Sequence, residues 1–378
     1  MKLEQFNAGE YIKVDDYKSF IPSKINYDWV WNDSELNKLL AEANLQLGTL
    51  NGFAEQIPNI DIYIKMHVKV EANKSSRIEG TRTTIDEDLL EILDVNPEKR
   101  DDWQEVQNYV EALNYGINRI KELPVCTRLI KEIHTILMQG VRGEHKNPGE
   151  YRTSQNWIGG SRPSNAIYVP PIPNEVGNCL SDLEKFINND EINTPDLIKI
   201  AMIHYQFESI HPFLDGNGRT GRILIPIYLL SKGLISKPCF YISDYIEKNK
   251  EAYYDFLSRV RTQNDMISWI KFFLEATIET AKTARIKFEK IVKFTNEMNS
   301  VVLNMPVRAE NARMVIDCMY NEPTINRKIL MEKTGLKPTA LKSVVNSLLE
   351  KELIVENTGY SRNQIFTFEK YINLFKWI

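Results

Sequence analysis

Residues 211–222 read HPFLDGNGRTGR, running from His211 to Arg222. Gly216 and Gly218 flank Asn217. Glycine adopts positive φ at little cost, and asparagine tolerates it better than most residues. Such a turn aims successive N–H groups into one concavity, an anion nest. The following run, RTGRILIPIYLL, has a helical pattern at its start, and a helix N-terminus adds its own N–H groups and positive dipole end. Phosphate is the natural guest. Arg219 and Arg222 lie three apart and so share a helix face. They form either a solvated basic face or a pair of forks for phosphate oxygens. Asp215 is suited either to Mg²⁺, which takes one or two carboxylates plus phosphate oxygens and water, or to capping the turn. His211 titrates near neutral pH and is placed as a general base, with Pro212 and Phe213 fixing its approach.

Outward from this loop, helical spacing dominates. Tyr205, Phe207 and Ile210 pack the helix that leads in, predicted over 194–209. Other helices are predicted over 34–56 with Ser34 as cap, 60–78 ended by Gly80, 84–94, 101–121, 126–140 and 175–189. A long helix over 264–300 has no Gly or Pro and keeps an apolar stripe. Residues 156–173, NWIGGSRPSNAIYVPPIP, break the pattern and read as a β-hairpin or flap projecting from a helical body. The last 73 residues carry 11 Lys+Arg against 8 Asp+Glu, so +3, whereas the first 305 carry 36 against 43, so −7. Their order is helix 309–320, helix 324–334, turn at Gly335, helix 338–351, then strands LIVEN and QIFTF. This is a winged helix-turn-helix. Lys337, Thr339, Lys342, Ser343 and Asn346 are placed to reach DNA, although the basic excess is small for that role.

Composition narrows the class. The chain of 378 residues is 43% hydrophobic and 26% charged, with net charge −4. No apolar run reaches the length of a membrane span, and the first residues lack a secretory core, so no membrane partner is expected. Cys126, Cys179, Cys239 and Cys318 are widely spaced, which fits reduced thiols and a cytoplasmic location rather than a disulfide frame or zinc site.

HPFLDGNGRTGR resembles the HPFx(D/E)GNGRxxR signature of Fic-domain proteins at every defining position, and the resemblance extends from roughly residue 30 to 275. It implies a mainly α fold: a Fic helical core with a β-hairpin flap, plus the C-terminal winged domain. The regions would be 1–105 (helical, regulatory), 106–300 (catalytic core and long connecting helix) and 306–378 (winged helix). It implies transfer of AMP from ATP to a Ser, Thr or Tyr hydroxyl of a target protein. His211 would deprotonate the hydroxyl and Asp215 would hold Mg²⁺. Gly216, Asn217 and Gly218 would stabilise charge on the α-phosphate, beside Phe213, and Arg219 and Arg222 would hold the β- and γ-phosphates. Trp157, Ile158, Gly159, Gly160, Tyr168 and Val169 would form the flap that aligns the target, and Tyr253 and Tyr254 the adenosine pocket.

A second stretch, SSRIEG over 75–80, is similar to the (S/T)xxxE(G/N) inhibitory helix of the same family. Ser75 and Glu79 are four apart, so both face one side of a helix. The resemblance implies a Glu79–Arg222 bridge that competes with the γ-phosphate. Two other activities stay open on the sequence: removal of AMP from a modified protein, and a nucleotide-sensing regulator that binds DNA through the tail. The family also implies a homodimer.

Overall fold

The computed structural model describes residues 1–57, 59–141, 144–360 and 363–376. It opens on a hairpin that the sequence patterns did not announce. β1 (Gly9–Val14) pairs antiparallel with β2 (Tyr17–Pro22), Val14 opposite Tyr17, around Asp15 at φ +47°. Aspartate tolerates that left-handed turn position.

Helices follow: α1 (Ser34–Gln56), α2 (Ile60–Ile78), α3 (Ile85–Asp88), α4 (Arg100–Arg119), α5 (Thr127–Leu137), α6 (Pro173–Ile187), α7 (Asp196–Ile210) and α8 (Asn217–Ser231). α9 (Ser243–Lys248), α10 (Lys250–Gln263) and the long α11 (Met266–Leu303) complete the helical body. α1 is capped by Asp33, not Ser34. The Asp33 carboxylate accepts from the N–H groups of Glu35 and Leu36 and pairs with Lys271 on α11, along which α1 lies. The helix predicted over 84–94 stops after one turn. Side chains of α4 take the carbonyls it would need, since Trp103 donates to Leu90 O and Gln107 to Asp88 O.

α7 is the centre of the body, with every residue from Leu197 to Ile210 buried. A helix buried all round needs partners for its polar side chains. Lys199 donates to Asn189 O, His204 bonds the Tyr253 hydroxyl, and Gln206 donates to Ser23 O. α6 and α8 pack against α7, and α4 packs against both α2 and α8.

The flap is less regular than a hairpin. Ile158 and Tyr168 form a single antiparallel bridge, and a short 3₁₀ turn at Pro163–Asn165 fills the tip. Pro163, Pro170 and Pro171 lack the N–H donors that would extend the ladder. β2 backs the flap, with Phe20 N–H donating to Val169 O.

In the tail, α12 (Ala309–Asn321) is followed by β3 (Thr324–Asn326), α13 (Arg327–Thr334), α14 (Pro338–Glu350), β4 (Val355–Glu356) and β5 (Ile365–Thr367). The strands form an antiparallel sheet in the order β3-β5-β4. Residues 324–326, predicted helical, are a strand because the Asn326 side chain caps α13 through Ile329 N–H. This order is compatible with a winged helix. Lys337, Thr339, Lys342, Ser343 and Asn346 are exposed on and beside α14. A last helix absent from the sequence reading, α15 (Glu369–Lys376), docks on α11 and α2 through Tyr371, Ile372 and Phe375. Among the described residues no helix is long and apolar enough to cross a membrane.

Candidate active site

The loop between α7 and α8 is built backbone first. His211 ends α7 in the left-handed region at φ +50°, its N–H bonded to Phe207 O. Such a conformation in a non-glycine residue costs on the order of 1–3 kcal/mol and persists only where the surroundings hold it. Here Arg152 holds it. Its Nε donates to His211 O at 2.9 Å, its terminal nitrogen donates to Pro171 O, and its N–H donates to Pro212 O. Asn156 donates to Phe213 O at 2.8 Å.

Phe213 is fully buried and stacks on His134 at 3.7 Å between centroids. Gly149 N–H donates to His134 Nδ1, so the ring proton sits on Nε2, which donates to Asp215 O. Burial pushes the His134 pKa down to about 4, so the ring stays neutral in this role. Asn217 closes the loop. Its side chain accepts from Phe213 N–H at 2.8 Å and donates to Phe213 O at 2.9 Å.

α8 then starts at Gly216, φ +73°, where an added Cβ would meet the Met138 sulfur at 2.6 Å. The N–H groups of Asn217, Gly218 and Arg219 have no acceptor among the described residues. They are the unsatisfied donors expected at a helix start, gathered at the place where an anion would sit. Asp215 is half exposed, and its carboxylate accepts from Gly216 N–H at 2.6 Å. Both readings of this residue are therefore compatible: it caps the turn, and it keeps open positions for a cation.

The two arginines are not a solvated face. Arg219 is buried and donates to Glu105 on α4 at 2.9 Å. Arg222 is 1% exposed and is held entirely by α2: Nε donates to Ser75 Oγ at 2.7 Å, and a terminal nitrogen donates to Ser75 O at 3.0 Å and to Glu79 Oε1 at 2.6 Å. Burial raises the Glu79 pKa, yet the Arg222 charge outweighs it and the carboxyl ends below its usual range. Glu79 also rests against the first turn of α8. A Cβ on Gly218 would lie 2.3 Å from Glu79 Oε1. Glycine at 218 thus makes room for the carboxylate of Glu79.

Burial of the His211 ring, with Arg152 beside it, pushes its pKa down to about 4. The imidazole is neutral at physiological pH and able to accept a proton. Glu208, one turn before His211, is driven up to about 7 by burial and by Glu79, against the pull of Arg222.

The remaining predicted residues are less concentrated. Tyr253 is buried with its hydroxyl on His204, and only Tyr254, packed edge-on against it, reaches solvent. On the flap, Trp157 and Ile158 are exposed, while Tyr168 and Val169 point inward and Tyr168 donates to Ser209 O. Ile167, 84% exposed, is the most exposed large apolar residue of the flap, and it is not among the flap residues singled out from the sequence. Also missed were His134, Arg152, Asn156 and Glu105. Their partners are backbone carbonyls or residues far along the chain, so no local pattern marks them.

The α7–loop–α8 unit thus gathers N–H groups without acceptors among the described residues, two buried arginines and a histidine in the left-handed region. The chain is a Fic-domain protein: residues 37–118 match the Fic/DOC family N-terminal region and residues 124–229 the Fic/DOC family domain. It is 27% identical over 212 residues to "Protein adenylyltransferase Fic" of Drosophila erecta, across 54% of this chain and 39% of the relative. The Drosophila melanogaster protein of the same name is 26% identical over 212 residues, with the same shares. The chain thus spans about two fifths of the length of these curated relatives. A Fic family protein from Desulfovibrio desulfuricans G20 has the same fold, with TM-score 0.56, 22% identity, and coverage of 92% of this chain and 98% of that one. A Fic-domain signalling protein from Bacteroides thetaiotaomicron superposes with TM-score 0.52 and 20% identity, over 67% of this chain and 96% of that one.

Proposed function

We propose that this chain is a protein adenylyltransferase restrained by Glu79. The observation that carries the reading is the shared occupancy of one place: Glu79 takes Arg222 and lies against the donor-rich start of α8, where the phosphates of ATP would bind. Relatives whose name is protein adenylyltransferase support the same activity.

In the reaction a target hydroxyl oxygen attacks the α-phosphorus of ATP and the bond to pyrophosphate breaks. His211, neutral and rigidly held, takes the hydroxyl proton. The N–H groups of residues 217–219 face the charge that grows on the α-phosphate oxygens. Arg219, oriented by Glu105, and Arg222, once released by Glu79, hold the leaving phosphates. The half-exposed Asp215 carboxylate suits Mg²⁺, whose sites are usually completed by phosphate oxygens and water. Bound there, the ion would neutralise phosphate charge. The exposed flap residues Trp157, Ile158 and Ile167 offer the target a surface next to His211.

The experiment is mass spectrometry of the Glu79→Gly chain after incubation with ATP and Mg²⁺. The reading requires adducts of AMP mass on hydroxyl side chains, and none when His211→Ala is added. Adducts of phosphate mass, or AMP adducts that persist without His211, would overturn it.

A further inference from the structure

A hollow of about 270 Å³ lies between α2, α9 and α11, away from the α8 loop. His67 borders it from α2, Tyr241 from the segment before α9, Asp244 and Lys248 from α9, and Thr283 and Lys287 from α11.

Among the described residues, three of these groups have no hydrogen-bond partner. Lys287 is only 9% exposed and makes no hydrogen bond or ion pair with any described residue. The nearby Asp244 carboxylate is committed to Lys74 at 3.1 Å and Lys248 at 2.9 Å. His67 Nε2 and the Tyr241 hydroxyl are buried without a partner among the described residues. The His67 ring packs against Phe288 at 4.6 Å and Phe375 at 5.1 Å.

Buried polar groups are nearly always paired, and the Lys287 charge is faced by an Asp244 carboxylate that already binds Lys74 and Lys248. A second hollow adjoins the first, sharing Asp244, Lys248 and Lys287 and adding Lys74, Arg77 and Lys376. Five cations and three carboxylates (Asp86, Asp244 and Glu279) border the two together, and a fourth carboxylate, Glu247, pairs with Lys74 and Arg77. The local balance is therefore positive in a chain that is negative overall. The volume is several times the roughly 30 Å³ share of one water, and Cys239, Tyr245 and Ala284 supply an apolar wall.

We propose that this hollow binds a small organic molecule through an oxyanion group, a carboxylate or a phosphate, received by Lys287, Tyr241 and the Nε2–H of His67. The site is independent of the reading of α8. Burial of His67, whose pKa is pushed down to about 3, keeps its ring neutral, and oxyanion binding here requires the tautomer with the proton on Nε2.

The test uses the full chain and two probes, 4-bromobenzoate and 4-bromophenyl phosphate. Affinity is measured by calorimetry, and the bromine is located by anomalous scattering in soaked crystals. One probe should bind saturably with its bromine in this hollow, and the preferred probe identifies carboxylate or phosphate as the group received. Affinity should fall at least tenfold in Lys287→Met and severalfold in Tyr241→Phe. The second variant removes one hydroxyl only, so it decides the matter even if the first folds poorly. The proposal is overturned if neither probe binds in solution, if binding occurs at crystal concentration only, if bromine appears only at the α8 loop, or if Tyr241→Phe leaves affinity unchanged.

Discussion

Gly218 shows how one missing methyl group lets the Glu79 carboxylate lie against the first turn of α8. It lies in the first turn of α8, where glycine costs roughly 0.5–1 kcal/mol relative to alanine. Gly218→Ala would therefore stabilise an unobstructed helix. Here the new Cβ would collide with Glu79 Oε1 at 2.3 Å, and relieving such overpacking costs about 1–3 kcal/mol. Urea unfolding should show Gly218→Ala destabilising in the parent chain and stabilising, or neutral, in a Glu79→Gly background. Equal effects in both backgrounds would place Glu79 elsewhere. His211 gives a second outcome. With its pKa pushed down to about 4, the base is lost only as pH falls through that region. Transfer by the Glu79→Gly chain should stay level from pH 8 to pH 6 and decline towards pH 4. An inflection near 6.5 would mean an exposed, ordinary histidine.

At the scale of elements, the loop after α7 and the helix α2 were legible because their chemistry is local: glycines beside an asparagine, arginines three apart, a serine and glutamate four apart. The scaffold that holds them was not. Arg152 acts on the carbonyl of His211, 59 residues away, and Glu105 reaches Arg219 across 114 residues. Neither separation leaves a mark in a sequence window. Helix ends shifted for the same reason. Ser34 looked like the cap of α1, yet Asp33 combines two N–H contacts with the Lys271 pair. Asp33→Ala should lower the denaturation midpoint by the equivalent of about 1–2 kcal/mol, the upper range for a lost cap. Ser34→Ala should change it little. A reversed order would return the cap to Ser34. The flap lost its ladder to prolines, and the hairpin β1–β2 escaped notice because its turn, Asp15-Asp16, lacks the glycine that usually marks a two-residue hairpin.

For the molecule as a whole, α2 is the element on which the parts converge. One side of it carries Ser75 and Glu79 to Arg222, while Tyr63 and His67 meet the tail through Tyr320 and Phe375. Buried histidines tie the body together and set its pH response. His67, His134, His204 and His211 have pKa values pushed down by burial to about 3, 4, 3 and 4. Their contribution to stability is complete above the unfolded value near 6.5 and is lost as pH falls below it. From pH 6 to pH 5 they cost roughly 4–5 kcal/mol. Glu208 and Asp88, raised by burial to about 7 and about 6, act in the opposite sense because the folded chain binds their protons first. They offset about 2 kcal/mol. Urea midpoints should therefore fall by a net equivalent of about 2–3 kcal/mol between pH 6 and pH 5, and greater stability at pH 5 would contradict these burials. The central claim is that a single site both transfers AMP and is restrained by Glu79. It is tested most directly by the rate at which the chain takes up label from ATP labelled at the α-phosphate, with and without Glu79→Gly. The account predicts a rise of more than tenfold on removing Glu79; equal rates would contradict it.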